Sequence, residues 1–385
     1  MQTNWNQFRY SPTQKGRNPY ENVLNTTNVG TIDLDWSFTT GGAITSSPAV
    51  SGGTVFLGSA DDYLYAINAT TGALVWKFKT DNSIVDSSPA VSNGTVYSGS
   101  TDDSLYAFNA TTGAPVWSFK TGAAINSSPS VFNGVVYVGS TDNNVYALNA
   151  ATGDPVWEQP FTTGGPVHSS PAVANGVVYV GSYDDNVYAI NATTGAQIWK
   201  FATAGEVFSS PAVSEGLVYV GSDDDNVYGL NAETGAQVWK FAATNEVESS
   251  PSVWNGDLYI GSDAGYFYAL QSRNGTLIWD TASTTAYEVS PLCLANGIEY
   301  VGIGNNVYAL TQVVTPEVLW AGVTGNLVTA APTVVNGVVY VASQDDNLYA
   351  FDLNGGNQVK NLPPRPDPAT LVHDPELQRS FWQSR

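Results

Sequence analysis

The sequence predicts an all-β chain, an eight-bladed β-propeller of four-stranded antiparallel blades, and three observations predict it. A proline in the motif S-S-P or a variant of it recurs eight times, at intervals of 40 to 42 residues. A tryptophan recurs eight times with the same period. Each repeat also holds four short segments in which apolar residues alternate, and four short strands in about 40 residues make one propeller blade. A helical solenoid would instead show apolar stripes at a spacing of about 3.6 residues.

The repeat from Ser169 to Phe201 shows the elements in order. The letters "SSPAV" predict a first strand, "NG" a tight turn, "VVYVGS" a second strand, "VYAIN" a third and "AQIWKF" a fourth. The recurring prolines are Pro48, Pro89, Pro129, Pro171, Pro211, Pro251, Pro291 and Pro332. The recurring tryptophans are Trp36, Trp76, Trp117, Trp157, Trp199, Trp239, Trp279 and Trp320.

The phase of the two series predicts how the ring closes. Trp36 precedes the first proline, and the last repeat supplies three strands before it gives way to "NQVKNLPPRPDP". A strand from Leu34 to Phe38 should therefore be the fourth strand of the last blade, which removes the exposed sheet edges of an open ring. We expect a leader over residues 1–33 that packs on the propeller, a propeller over 34–360, and a Pro-rich tail over 361–385. A short helix is predicted in that tail from Asp374.

The fourth strand and the turn before it carry a recognisable motif. The segment "AINATTGALVW", from Ala66 to Trp76, resembles the tryptophan-docking motif A-x-[DN]-x-x-T-G-x-x-x-W of the pyrroloquinoline quinone (PQQ)-like propeller repeats. The resemblance covers about residues 30 to 355. It implies eight blades and a structural role for the eight tryptophans, each packing across the neighbouring blade. The family includes quinoprotein dehydrogenases and the propeller lipoprotein of the outer-membrane barrel assembly machinery.

The resemblance also bears on cofactors and location. Quinoprotein dehydrogenases of this family have two adjacent cysteines over the quinone and a calcium ion held by carboxylates and amides, whereas Cys293 is the only cysteine here. We therefore expect no cofactor and no bound PQQ, and leave Ca²⁺ open. The resemblance favours an exported protein, periplasmic or extracellular. The start "MQTNWNQFRY" has no signal-peptide pattern, so a cytoplasmic location stays open.

The charge of the chain excludes some partners. Thirteen Lys and Arg stand against 34 Asp and Glu, for a net charge of −21 at pH 7. Such a chain repels phosphate backbones, and no apolar run is long enough to span a bilayer, so we expect neither nucleic acid nor a membrane span. The same charge would attract basic proteins or divalent cations, or would simply keep the protein soluble. We expect a monomer.

Aspartates recur in the turn between the second and third strands. They should form an acidic ring on one face of the propeller, and two interpretations remain open. Carboxylates are the ligands that hard cations prefer, which makes this turn in the fourth and fifth repeats a candidate metal site. Aspartate also caps tight turns with its own side chain. The candidate metal ligands are Asp184, Asp185, Asp224 and Asp225.

A variable position lies directly before each S-S-P motif. It reads Thr45, Asp86, Asn126, His168, Phe208, Glu248, Glu288 and Thr329. If the first strand of each blade lines the central channel, these side chains ring its mouth. The predicted ligand-binding residues are Asp86, Asn126, His168, Phe208, Glu248 and Glu288. Four of these residues, Asp86, His168, Glu248 and Glu288, can act as acid, base or metal ligand. Ser169 and Ser170 beside His168 are the one serine pair with a base nearby. The alternative is drift at a solvated loop.

The sequence therefore favours a non-enzymatic binding or scaffold propeller. It would engage a protein or a small ligand through its acidic face and channel mouth. The alternative is an enzyme with its site at the channel mouth, either a quinoprotein-like oxidoreductase or a lyase or hydrolase. No catalytic residue is assigned by the sequence.

Overall fold

In the computed structural model, residues 4–283, 289–312, 316–354 and 371–372 are described. The chain begins with β1 (Arg17–Asn18), a 3-10 helix (Val29–Thr31) and β2 (Asp33–Thr39). Blade 1 contains β3 (Ala49–Ser51), β4 (Thr54–Gly58), β5 (Tyr63–Asn68) and β6 (Leu74–Lys79). Blade 2 contains β7 (Ala90–Ser92), β8 (Thr95–Gly99), β9 (Ser104–Asn109) and β10 (Pro115–Lys120). Blade 3 contains β11 (Ser130–Phe132), β12 (Val135–Gly139), β13 (Asn144–Asn149) and β14 (Phe161–Thr162).

The next three blades repeat this plan. Blade 4 contains β15 (Ala172–Ala174), β16 (Val177–Ser182), β17 (Asn186–Asn191) and β18 (Gln197–Ala202). Blade 5 contains β19 (Ala212–Ser214), β20 (Leu217–Ser222), β21 (Asn226–Asn231) and β22 (Gln237–Ala242). Blade 6 contains β23 (Ser252–Trp254), β24 (Asp257–Gly261), β25 (Tyr266–Gln271) and β26 (Leu277–Ser283).

Two further blades close the ring. Blade 7 contains β27 (Cys293–Ala295), β28 (Ile298–Ile303), β29 (Asn306–Thr311) and β30 (Val318–Val323). Blade 8 contains β31 (Thr333–Val335), β32 (Val338–Ala342) and β33 (Asn347–Asp352). A last strand, β34 (Leu371–Val372), pairs with the outer edge of β26. The predicted eight-bladed, four-stranded antiparallel fold is confirmed.

The N-terminal strand completes the last blade, as the phase of the repeat predicts. β2 pairs antiparallel with β33, with Leu34 opposite Phe351 and Phe38 opposite Leu348. The innermost strands of neighbouring blades pack on one another all the way round, including β3 against β31. The first strand of each blade therefore lines the central channel, and the ring has no open sheet between its first and last blades.

The tryptophans bridge neighbouring blades. The indole N–H of Trp199 donates a hydrogen bond to the carbonyl of Ala232, at 3.0 Å, in the next blade. Gly235 of that blade lies against the same indole, with a positive φ of 72°, so a Cβ there would meet the ring carbons. Equivalent indole bonds to the next blade are made by Trp36, Trp76, Trp117, Trp157, Trp239 and Trp320. Trp279 is buried against Tyr259 and Phe267.

The leader before β2 runs round the inside of the ring. Its groups bond in turn to the second residue of each innermost strand, at Val50, Val91, Val131, Val173, Val213, Val253, Leu294 and Val334. The buried guanidinium of Arg9 fastens this segment by donating to the carbonyls of Gln14 and Pro251 and to Ser252. The leader thus contacts all eight blades in turn around the channel.

Parts of three predictions fall outside the described residues. Glu288 of the mouth ring is one of them. The end of the propeller at residue 360 is another, and so is the tail helix predicted from Asp374.

Candidate functional site: the channel mouth

The channel opens on one side into a cavity of about 280 Å³. Its wall includes seven of the eight variable residues that precede the S-S-P motifs: Thr45, Asp86, Asn126, His168, Phe208, Glu248 and Thr329. Phe8 of the leader also lines the cavity. Phe8 is the point at which the leader, which follows the inner strands around the channel, takes part in lining this cavity. We call this cavity the mouth cavity.

The serines of the S-S-P motifs hold the wall of the mouth cavity in place. The backbone N–H of Ser128 donates to the hydroxyl of Ser170, and that of Ser170 donates to Ser210. The same bond recurs from Ala331 through Ser47, Ser88, Ser128, Ser170 and Ser210 to Ser250. These hydroxyls link seven blades in sequence, from blade 8 through blade 1 to blade 6, so the serines have a structural role here. Ser169 likewise bonds Gly181 and Ser209, and in the described residues neither Ser169 nor Ser170 bonds His168.

Blade 7 is shifted by one residue relative to the alignment on proline. The hydroxyl of Ser290 accepts from the N–H of Gly302, which is the bond made by the first serine of the pair in other blades. Pro291 then takes the place of the second serine and lines the mouth cavity. Because proline has no N–H, it cannot continue the serine chain. The residue directly before Ser290 is Val289, while Glu288 lies outside the described residues.

Three aromatic rings cluster at one side of the mouth. The imidazole of His168 stacks on the ring of Tyr183, with centroids 4.6 Å apart and an interplanar angle of 11°. Phe208 lies 5.7 Å from His168 and 6.2 Å from Tyr183, between centroids. Asn126 Nδ2 is 3.3 Å from His168 Nδ1, which orients the imidazole from the other side. Of these rings, His168 and Phe208 face the mouth cavity.

Carboxylates surround these rings. Burial lowers the pKa of His168, and the charge of Asp86 opposes this, so the imidazole is largely neutral near pH 7. Asp86 is accessible from the cavity but lies in a concave wall, and this desolvation raises its pKa, while Thr45 and His168 act to lower it. Burial raises the pKa of Tyr183, and so do the charges of four acidic residues: Glu248, Glu206, Asp223 and Asp86. The electrostatic potential at this side of the mouth is negative.

The negative region continues over blades 5 and 6. Burial, together with the charges of Glu246, Glu206 and Asp263, raises the pKa of Asp223 to about 6. The pKa of Asp263 is likewise raised to about 6, by burial and by the charge of Glu246. Among the described residues, the recorded ion pairs are Lys79 with Asp62 and Arg273 with Glu215, and neither lies at the mouth.

The turn aspartates are engaged with their own and the preceding blade. The carboxylate of Asp184 accepts from the hydroxyl of Tyr188 at 2.5 Å and from the backbone N–H of Gly164. Burial alone would raise the pKa of Asp184, but these hydrogen bonds outweigh it and hold the pKa below its usual value. Asp224 is held in the same way by Tyr228 and Ala204. Asp185 and Asp225 occupy turn positions with positive φ.

These contacts bear on the predicted metal site. In the described part of the chain, no group of three or more His, Cys, Asp or Glu side chains is arranged to hold a metal ion. Asp184 and Asp224 join the turn to the linker of the blade before it. The carboxylate of Asp224 also accepts from the backbone N–H of Asn226 in its own turn, as the turn-capping interpretation expects.

Two residues of the mouth region were not singled out by the sequence reasoning. Phe8 belongs to the leader, outside the repeat, so no periodic signal marks it. Tyr183 precedes the turn aspartates at a position that varies among repeats, reading Ala60, Thr101, Thr141, Tyr183, Asp223, Asp263 and Gln344. This second variable position could have been found by the same comparison that found the first.

One protein-family model matches most of the propeller. The family model described as outer membrane protein assembly factor BamB matches residues 29–166, 107–208 and 186–312, which together span more than half of the chain. The chain belongs to this PQQ-like propeller family. The resemblance drawn from the tryptophan motif is thereby confirmed. Comparison with curated protein sequences finds no match.

Solved structures show the same ring. BamB from Moraxella catarrhalis is 17% identical, with a TM-score of 0.71, over 83% of this chain and 99% of that one. The quinohemoprotein alcohol dehydrogenase ADHIIG from Pseudomonas putida HK5 is 17% identical, with a TM-score of 0.77, over 94% of this chain and 82% of that one. A europium-containing methanol dehydrogenase is 15% identical, with a TM-score of 0.77, over 91% of this chain and 98% of that one. At such identities the likeness is one of fold alone. Within the described residues, no helix is long and apolar enough to cross a membrane.

Proposed function

We propose that this protein is a non-enzymatic binding propeller that holds a small ligand, or a side chain of a partner protein, in the mouth cavity. One observation carries the proposal. The variable residues of an otherwise uniform repeat converge on one cavity, and the serine chain holds its wall. A rigid frame that presents a few different side chains is how ligand sites are built.

The family supports a binding role. Its model is described as an assembly factor, which is a protein that acts through association with others. We also propose that the protein is exported, on the strength of the outer-membrane setting that this description names, and that it works as a monomer. The monomer proposal rests on the closed ring of blades, because a single chain lines the mouth cavity without a second copy.

The dehydrogenase neighbours raise the question of a quinone cofactor, and the mouth cavity does not fit one. PQQ carries three carboxylates, so its site needs cationic side chains. The wall of the mouth cavity contains Asp86 and Glu248 and, among the described residues, neither lysine nor arginine. Cys293 is buried in β27 beneath the leader rather than exposed to the cavity. We derive no redox step at this site.

The proposal can be tested with a ligand panel. Saturation-transfer NMR would be run with three classes of organic molecule: amines, carboxylates and neutral sugars. A fourth class, divalent metal salts, would be tested by competition with a bound organic molecule. Binding of any class that is lost in the double variant His168→Ala/Glu248→Ala supports a site at the mouth. Binding that is unchanged in the double variant, or no binding by any class, contradicts it. Turnover of a bound compound would favour the enzyme alternative.

A further inference from the structure

The mouth cavity combines two features that act on the same kind of ligand. Phe8, His168 and Phe208 line it with aromatic surface, which we call the aromatic wall. Asp86 and Glu248 line it with carboxylates, which we call the mouth carboxylates. Ring faces attract cations through their negative quadrupole, and carboxylates attract them through their charge. Each feature alone is common, but both together in one concave site narrow the ligand class.

We propose that the mouth cavity binds an organic cation, namely an ammonium or guanidinium group, between the aromatic wall and the mouth carboxylates. This proposal rests on the proposed function and specifies its ligand. The cavity of about 280 Å³ lies just below the range of drug-sized pockets, which begins at about 300 Å³. It is therefore sized for a small cation or for the end of one side chain.

Other ligand classes fit the cavity less well. An anion would meet the mouth carboxylates together with Glu206 and Asp223, whose charges reach the ring of Tyr183 behind His168. A metal ion would need several converging donors, and no group of three acidic, histidine or cysteine side chains in the described ranges provides them. A neutral apolar ligand would desolvate the carboxylates without compensating them. An organic cation satisfies the rings and the carboxylates at once.

The neutral state of His168 belongs to the same arrangement. A protonated imidazole in the wall would repel a cation, whereas burial keeps His168 largely neutral near pH 7. Its stacking on Tyr183 and its contact with Asn126 fix the ring plane before any ligand arrives. A preorganised ring loses less entropy on binding than a mobile one.

The experiment uses two charged probes, each paired with a neutral isostere. Choline is compared with 3,3-dimethyl-1-butanol, and the peptide acetyl-Gly-Lys-Gly-amide is compared with its norleucine counterpart. Dissociation constants are measured with the full chain by NMR titration at low and at physiological salt. Tighter binding of choline than of 3,3-dimethyl-1-butanol indicates that the ligand is a free small cation. Tighter binding of the lysine peptide than of its norleucine counterpart indicates that the ligand is a basic side chain. Either preference, of about tenfold or more and weaker at higher salt, supports the proposal.

Three variants locate the site. Phe208→Leu keeps an apolar wall but removes a ring face, and should weaken binding of the charged probe by about 3- to 30-fold while leaving the neutral one unchanged. Asp86→Asn should weaken the charged probe and reduce its salt dependence. The control Glu233→Gln makes the same change of charge on the turn between β21 and β22, at the other end of β21 from Asp224, and should have no effect.

The outcomes separate this inference from the proposed function. If neither charged probe binds better than its isostere, or if Phe208→Leu and Asp86→Asn leave the preference intact, the cation proposal is wrong. If carboxylates or sugars then bind at the mouth and depend on His168 and Glu248, the proposed binding function still stands. If no class binds at the mouth, both fail.

Discussion

The hydroxyl of Ser169 accepts a hydrogen bond from the backbone N–H of Gly181, at 3.0 Å, across the first two strands of blade 4. It also donates to the carbonyl of Ser209 in the next blade, at 3.1 Å. One buried side chain thus closes a hairpin and joins two blades. It stands directly beside His168, so the frame of the mouth cavity and its variable wall are adjacent in the chain.

We expect Ser169→Ala to lower the free energy of unfolding by about 1–3 kcal/mol, because it leaves the buried N–H of Gly181 without its acceptor. Urea unfolding followed by tryptophan fluorescence measures this change. The control Thr193→Ala lies on an exposed turn of the same blade and should change stability by less than about 0.5 kcal/mol. Equal effects of the two variants would show that the hydroxyl contributes nothing specific.

Replacing the glycine beside an indole by alanine should lower the stability of the protein. Gly235 has a φ of 72°, and a Cβ there would lie 2.7–3.0 Å from three ring carbons of Trp199. Gly216 of the same blade has a φ of 79° with nothing within 4 Å. Gly216→Ala should therefore cost about 1–2 kcal/mol, the conformational part alone. Gly235→Ala should cost about 1–3 kcal/mol more, because the clash adds to it. Indistinguishable midpoints in urea would disprove the packing role.

A double-mutant cycle tests the role of the turn aspartates. Asp184→Asn and Tyr188→Phe should show a coupling energy of about 0.5–1.5 kcal/mol at pH 7, since the pair is only partly buried. The cycle of Asp185→Asn with Tyr188→Phe is the control and should show none, because the backbone of Asp185 rather than its carboxylate accepts from Thr203. Calcium chloride should leave the melting temperature unchanged. A rise with calcium that disappears in Asp184→Asn would restore the metal interpretation.

Glu299 should make stability fall as pH rises. It lies fully buried in β28, where other blades have Val55, Val178 or Leu258. Burial raises its pKa well above 4.5, the nearby hydroxyl of Tyr259 opposes this, and the charge of Asp257 adds to it. Above about pH 4.5 the unfolded state releases the proton and the folded state keeps it, so up to about 1.4 kcal/mol of stability is lost per pH unit until the folded pKa is reached.

The variant Glu299→Gln removes this titration while keeping the size of the side chain. The difference in unfolding free energy between the variant and the parent should grow in favour of the variant as the pH rises above about 5. Other acidic groups, such as Asp223 and Asp263, are present in both proteins and drop out of the difference. A difference that is constant with pH would show that Glu299 is ionised in the folded protein.

Some residues of the fold and of the candidate site could be predicted from the sequence, and others could not. Trp199 and Pro171 recur with a period of about 40, and a period of this length with alternating strands specifies blades. Leu34 was placed in the last blade because a ring needs a fourth strand there. His168 and Phe208 were found because they vary where their neighbours do not. Phe8 could not be found, because it lies in a segment without repeats and lines the cavity only through the tertiary packing of the leader against the inner strands.

The sequence by itself determined the eight blades, their strand order and the closure of the ring, since these follow from local alternation, turn residues and equal sectors. The tertiary structure alone decided that the leader packs on all eight inner strands and brings Phe8 to the cavity, that the motif of blade 7 is shifted by one residue at Ser290, and that Tyr183 stacks on His168. These depend on contacts between residues that are distant in the chain, and repeat spacing carries no information about such contacts. The chemistry of the mouth cavity arises from them.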